Sequence, residues 1–294
     1  MKYYVLWSYN IDNLERQFSV LNAEDTVVVI NTLHEDEKVK GIDWCKRNCV
    51  TYHVTESDGT PATGKNSVLK IFLESDDEYM VHIDGDDYLT PYGVMLYKEL
   101  ARHTDPPDMV VLYRQQGIDP KGNICYPFDK SNVITPRDLL IDFFMKNKNY
   151  RLDQTTATTW ADERLEFDDW MHRKMECSEF MCRMVFHSRK VAKLMHYNNV
   201  IEVGEDTLQF LQLKRLALKG SLKVMRRKER DNPTYMYDQS QKNKSFMRNK
   251  YAYNWSWCKP LLEELKKVGD LEDYVQLEEF RDEQWVNIQT NLQR

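Results

Sequence analysis

The chain has 294 residues, 41 lysines and arginines against 47 aspartates and glutamates, and a formal net charge of −6. An apolar content of 41% with 30% charged residues describes a globular protein, one large domain or a domain with an appendage, and excludes a disordered or collagen-like chain. No run approaches the roughly 18 apolar residues of a membrane span, and residues 1–7 are too aromatic for a signal peptide, so a cytoplasmic protein is expected.

The first hundred residues alternate strand and helix patterns. Residues 3–8 read as a strand and 13–21 as a helix. Val27-Val28-Val29-Ile30, within 26–31, is the continuous β-branched run of a strand buried on both faces. Residues 42–47 are helical and 51–55 form a strand. After the glycine-bearing loop 58–64, residues 65–74 form a helix. Met80-Val81-His82-Ile83 is the next strand, and it breaks into three carboxylates, Asp84, Asp86 and Asp87, within four residues. Strands separated by helices imply βαβ units and a mostly parallel sheet, whose ligands bind beyond the carboxyl ends of the strands. The three aspartates lie there. Carboxylates so close repel one another unless a cation sits between them. The motif therefore reads as a divalent-ion site, against the plainer reading of an acidic surface turn.

Further along, residues 92–102 read as a helix, 109–114 as a strand and 119–123 as a turn. Thr135-Pro136-Arg137-Asp138 has the signature of a helix start, running to about Lys146. Residues 147–169 are polar and read as a loop, with Trp160 inside it and Trp170 just beyond, rings suited to packing or to stacking on a sugar. A strand at 182–186, a helix at 189–196 and a longer helix at 205–218 follow. Leucines and valines from Leu261 to Leu277 suggest a helical hairpin broken near Gly269-Asp270 and packed back on the main domain. The six cysteines form no CxxC pair and read as free thiols, although Cys45 and Cys49 share a helix face. His82 reads as a satisfied core residue. Basic residues dominate 214–250, either as a solvated face or as a patch meeting phosphate.

Four separated segments carry a resemblance: Ser8-Tyr9-Asn10 ending the first strand, Gly59 to Asn66 leading into a helix, Asp84-Gly85-Asp86-Asp87-Tyr88-Leu89-Thr90-Pro91 after a strand, and Gly204-Glu205-Asp206-Thr207-Leu208 opening a helix. Their order and spacing over residues 3–225 resemble the family 2 glycosyltransferases, nucleotide-sugar transferases of GT-A fold. The resemblance implies an α/β fold with a mostly parallel central sheet and flanking helices over 1–225. Residues 226–294 would form a basic segment and a C-terminal helical extension. It implies a metal-dependent, inverting hexosyl or N-acetylhexosaminyl transfer from a UDP-sugar to a glycan, lipid or protein hydroxyl. Asp84, Asp86 and Asp87 would hold Mn2+ or Mg2+, with Asp86 the direct ligand. Asp206 would be the general base, with Glu205 the runner-up. Tyr9, Asn31, Lys65, Asp84, Gly85, Arg226 and Arg227 would meet the nucleotide or its diphosphate, Asp84 through the ribose or through a water on the metal.

Two departures qualify the match. The family's second strand commonly ends in paired aspartates, where this chain has Asn31-Thr32, which weakens a preference for uracil. Many GT-A enzymes supply a late histidine to the metal, and no histidine follows His196. A sugar-phosphate nucleotidyltransferase is the alternative enzyme, but its glycine-rich loop after the first strand is missing. A degenerate transferase that only binds nucleotide or glycan is the non-catalytic alternative, opposed by the intact acidic residues. No nucleic-acid-binding motif accompanies the basic stretch.

Overall fold

The structure of the protein is a computed structural model that describes residues 1–113, 116–118, 123–125, 136–146, 153–174, 183–201, 204–218, 220, 222–228, 232–238 and 258–268. The described strands are β1 (Lys2–Trp7), β2 (Thr26–Asn31), β3 (Thr51–Thr55), β4 (Tyr79–Asp84), β5 (Tyr88–Leu89), β6 (Met109–Tyr113), β7 (Gln116–Ile118), β8 (Ile124–Cys125), β9 (Arg183–Ser188), β10 (Val224–Lys228) and β11 (Tyr235–Asp238). The described helices are α1 (Ile11–Gln17), α2 (Glu35–Arg47), α3 (Pro61–Glu74), α4 (Pro91–Arg102), α5 (Arg137–Met145), α6 (Gln154–Lys174), α7 (Arg189–Ala192), α8 (Glu205–Leu218) and α9 (Cys258–Val268).

Seven strands form the central sheet in the order β10-β6-β9-β4-β1-β2-β3. All run parallel except β9, which is antiparallel to both β4 and β6. This is the mostly parallel α/β architecture expected from the alternating pattern. Every residue of β2 is buried, as its unbroken apolar run implies. Alternate residues serve opposite faces: Tyr4, Val27 and Val29 pack with α3, α8 and α9, while Tyr3, Val5, Trp7, Val28 and Ile30 pack with α1, α2 and α4. Burying each such side chain stabilises the fold by about 1.5–3 kcal/mol, which ties the strand ends to a rigid frame.

Strand order reverses between β1 and β4: the chain moves outward through β2 and β3, then returns to the other side of β1. The crevice beyond the carboxyl ends of β1 and β4 is the topological switch point where open α/β sheets bind ligands. Asp84 ends β4 there, in register with Leu6 of β1. A smaller sheet, β5-β11-β7-β8, begins immediately after the acidic residues and draws β11 against them.

Several elements differ from the sequence reading. Residues 154–174 form α6 instead of a loop. Threonines at 155, 156, 158 and 159 have weak helix propensity and mask the pattern, yet Asp153 caps the helix by accepting from the Thr156 N–H at 2.8 Å. Ala157, Ala161 and Trp160 meet Ile141 and Phe144 of α5 in a small separate core, with Trp160 edge-on to Phe144. Trp160 is thus a packing residue; the Trp170 side chain lies outside the described residues. Helix α7 stops at Ala192, short of the expected 196. Strand β10 spans 224–228, so the sheet continues across the expected boundary at 225. Helix α9 packs Leu261 and Leu265 on the main core, and the second half of the expected hairpin lies outside the described residues. Among the described residues, no helix is long and apolar enough to cross a membrane.

Candidate active site

Thr90 caps α4 through its hydroxyl, which accepts from the Gly93 N–H at 3.0 Å, and Pro91 occupies the first turn. This stop holds the preceding acid loop in place. Gly85 lies so close to β1 that a Cβ there would come within 2.5 Å of the Leu6 carbonyl oxygen. The glycine is therefore required by packing, whatever ligand it meets. From α1, Gln17 donates through Nε2 to the Asp87 carbonyl, and Arg16 donates to the Asp86 carbonyl at 2.9 Å while pairing with Asp238. The acid loop is latched from both sides.

The three aspartates occupy different environments. Asp87 is fully buried. Its Oδ2 accepts from Arg183 Nη2 at 2.7 Å and from the Tyr235 hydroxyl at 2.8 Å, and its Oδ1 from the Asp238 N–H at 3.0 Å. Both oxygens are thus engaged, and Asp87 is an anchor of the loop instead of the open ligand expected. Burial pushes its carboxyl up, Arg183 pulls it down, and the adjacent Asp86 and Asp84 push it up again. Asp84 pairs with Arg183 Nη1. Burial works to raise the Asp84 carboxyl, but Arg183, Lys65 and His82 outweigh it and hold it well below the usual carboxylate range. The Asp86 carboxylate makes no hydrogen bond or ion pair with a described residue. Burial, then the charge of Asp84, push it up to about 6.

A second cluster faces the first. Gly204, with φ +79, turns the chain into α8 and places Glu205 and Asp206 in its first turn. Lys65 reaches them from α3, with Nζ 2.7 Å from Glu205 Oε1 and 2.9 Å from Asp206 Oδ2, and 5.4 Å from the Tyr197 ring centroid. Lys65 is only 5% exposed. It is neither a solvated helix-start lysine nor free to reach a nucleotide in this arrangement. Burial alone would lower its pKa, but Asp206, Glu205 and Asp84 hold it well above the lysine range. Burial and the charge of Asp206 push Glu205 up to about 7. Asp206 is lowered: burial opposes ionisation, but Lys65 and Arg183 outweigh it. The Asp206 side chain is 30% exposed and that of Glu205 5%, so of the two candidate bases only Asp206 presents an oxygen to solvent.

Lys65, His82, Asp84, Arg183, Met184, Tyr197 and Asp206 line one small cavity at the switch point. Alternation along β4 sends His82 to the same side as Asp84. Its Nε2 lies 3.4 Å from Asp84 Oδ1 and makes no hydrogen bond, so His82 is not the satisfied core residue expected. Burial lowers its pKa to about 4, keeping it neutral. Tyr9 is half-buried near Asp86 and Asp87, and burial followed by those charges raises its hydroxyl. Asn31 donates to Thr55 Oγ1 at 2.8 Å and to the Glu56 carbonyl at 2.9 Å, fastening the end of β2 to β3. Arg226 and Arg227 are strand residues at the edge of the described sheet, because Val224 and Met225 are buried and anchor β10 against β6. The Arg227 guanidinium stacks over Tyr92 at 5.3 Å and donates to the Asn232 carbonyl at 2.5 Å. The Arg226 side chain lies outside the described residues.

Sequence reasoning missed Arg183, Tyr235, Asp238 and Arg16. No local motif marks them; each reaches the acid loop only through strand pairing or helix docking. Among the described residues, no group of three or more His, Cys, Asp or Glu side chains forms a ready-made metal cage. The donors still suit a hard divalent ion: Asp86 has no side-chain partner among the described residues and Asp84 offers a second oxygen. Ligand oxygens would have to complete the shell.

The sequence matches no family model and no curated protein. Among solved structures, TarS of S. aureus in complex with UDP is 13% identical, with 81% of this chain and 60% of that chain covered at a TM-score of 0.46. Its complex with UDP-GlcNAc is 14% identical, with 81% and 59% covered at 0.46. The inositol-1-phosphate CTP transferase of T. maritima is 12% identical, with 91% and 96% covered at 0.39. The chain thus spans about 60% of these two TarS complexes. At these scores the likenesses carry no functional weight.

Proposed function

We propose that the protein is a glycosyltransferase that moves a sugar from a UDP-sugar to an acceptor hydroxyl by direct displacement, with Mg2+ or Mn2+ at Asp84 and Asp86. The observation that supports this best is the meeting of two acidic groups across one cavity at the switch point, Asp84 from β4 and Asp206 from α8. Displacement needs both: a site that neutralises a departing diphosphate and a base for the incoming hydroxyl.

In this reading the acceptor oxygen forms a bond to the anomeric carbon while the bond to the diphosphate breaks, inverting that carbon. The hydroxyl proton passes to Asp206 Oδ1, the oxygen that Lys65 leaves open. Lys65 keeps Asp206 ionised, so the base is ready at neutral pH although its basicity is reduced. Glu205 shares the Lys65 ammonium and orients it. When bound, the divalent ion supplies Lewis-acid stabilisation of the leaving diphosphate. Asp87, locked by Arg183 and Tyr235, keeps Asp84 and Asp86 in position. In this reading Tyr9, beside the loop, stacks on the base.

The test is release of UDP from a panel of UDP-sugars by purified protein with Mn2+. The expected result is metal-dependent hydrolysis or transfer that Asp86→Ala abolishes. Turnover without metal, or full activity in that variant, would overturn the reading.

A further inference from the structure

Arg183 has no part in the reaction as written, yet it holds the centre of the site. It enters from β9, the strand that runs against the rest of the sheet. Its guanidinium forks between two carboxylates, contacting Asp84 through Nη1 and Asp87 through Nη2. The rings of Tyr235 and Tyr237 lie beside it at 5.2 and 5.9 Å from their centroids. Among the described residues, the other carboxylate oxygen of Asp84 faces His82 Nε2 at 3.4 Å, with no hydrogen bond there. The charge that a divalent ion would neutralise on Asp84 is therefore already met by an arginine.

A guanidinium and a divalent cation held at one carboxylate repel each other, and in a partly buried site water screens that repulsion poorly. The Arg183 side chain is 14% exposed and forms part of the cavity wall with Asp84 and Asp206. An arginine fork fits phosphate oxygens as well as it fits carboxylates. A diphosphate entering the cavity offers Arg183 a second anion.

We propose that Arg183 is a built-in counter-cation that competes with the divalent ion for Asp84, and that an arriving diphosphate draws it away and opens the acid loop to metal. The inference rests on the reading of Asp84 and Asp86 as the metal site of a nucleotide-sugar enzyme. It makes metal binding depend on nucleotide, so that ion and donor enter together. A purely structural Arg183, tying β9 to the acid loop, would have no such consequence.

The experiment titrates Mn2+ into the purified 294-residue chain and follows the free-ion signal by electron paramagnetic resonance, with and without UDP. The wild type is expected to bind Mn2+ weakly alone and at least about tenfold more tightly with UDP, and Arg183→Gln to bind Mn2+ without UDP at least about tenfold more tightly than the wild type. A folded Arg183→Gln with unchanged or weaker Mn2+ affinity overturns the proposal. If the glutamine variant does not fold, Arg183→Lys carries the test. Lysine keeps the charge but cannot fork between Asp84 and Asp87, so Mn2+ affinity without UDP should rise about threefold or more; no rise overturns the proposal. Wild-type binding that needs UDP, with no gain in either variant, defeats the counter-cation and leaves the metal-site reading intact. No Mn2+ binding by any protein, even with UDP, defeats both.

Discussion

Two clusters of carboxylates face one another across the cavity, and among the described residues each is contacted directly by one basic side chain of different chemistry. At the acid loop, Arg183 bridges Asp84 and Asp87 with separate nitrogens, leaving Asp86 without a side-chain partner among the described residues. At the start of α8, Lys65 offers one nitrogen to Glu205 and Asp206 together. The fork divides its charge between two residues and can be traded for another anion. The ammonium is a point charge sealed beneath both acids and holds one of them ionised. On the proposed reading the first cluster exchanges with ligands, whereas in the second Lys65 holds Asp206 ionised beside a Glu205 that titrates near 7.

The comparison breaks most severely at Asp206. Asp206→Asn should lower the rate of sugar transfer by roughly 10²–10⁴ with little change in melting temperature, as measured by UDP release and by thermal denaturation. Transfer within a few-fold of wild type would remove Asp206 from the reaction. Lys65→Met comes next. It leaves the buried Glu205 and the half-buried Asp206 without their cation, and breaking such a pair costs about 3–5 kcal/mol. A denaturant midpoint equal to wild type would mean the cluster is not held as described. Gly85→Ala tests the frame beneath the first cluster. The new methyl would meet the Leu6 carbonyl at 2.5 Å, and overpacking of this kind costs about 1–3 kcal/mol; an unperturbed melting curve would contradict the close approach of β1 and the acid loop.

The smallest effect sharpens the difference in protonation. Burial raises Glu205 from 4.5 to about 7. The folded protein then binds a proton more readily than the unfolded chain, so this contribution to stability is complete below about 4.5 and is lost as pH rises through about 7. Glu205→Gln cannot titrate. The stability advantage of wild type over that variant should shrink by on the order of 1–2 kcal/mol between about pH 5 and pH 8. A pH-independent difference would show that Glu205 is already ionised in the acidic sample.

Much of this arrangement is legible in the chain. The β-branched run of β2, the apolar strand ending at Asp84, the Thr90-Pro91 stop and the Glu205-Asp206 helix start are local signals, each readable within a few residues. Helix α6 was hidden by its threonines, although the Asp153 cap was there to be read. Lys65 could be singled out as a charged residue near the site, but its partners lie 140 and 141 residues away. No local pattern distinguishes a lysine that meets a phosphate from one sealed against an acid pair.

The three aspartates at the end of an apolar strand were determined by sequence alone, because a strand pattern and a cluster of like charges are properties of neighbouring residues. What balances those charges was decided only by the tertiary structure. Strand β9 runs antiparallel to β4, so its first residue, Arg183, lies beside the last residue of β4, Asp84. Had β9 run parallel, its other end, Ser188, would lie there. Strand direction is set by packing and connection over the whole sheet, so the counter-charge to the acid loop is a consequence of topology.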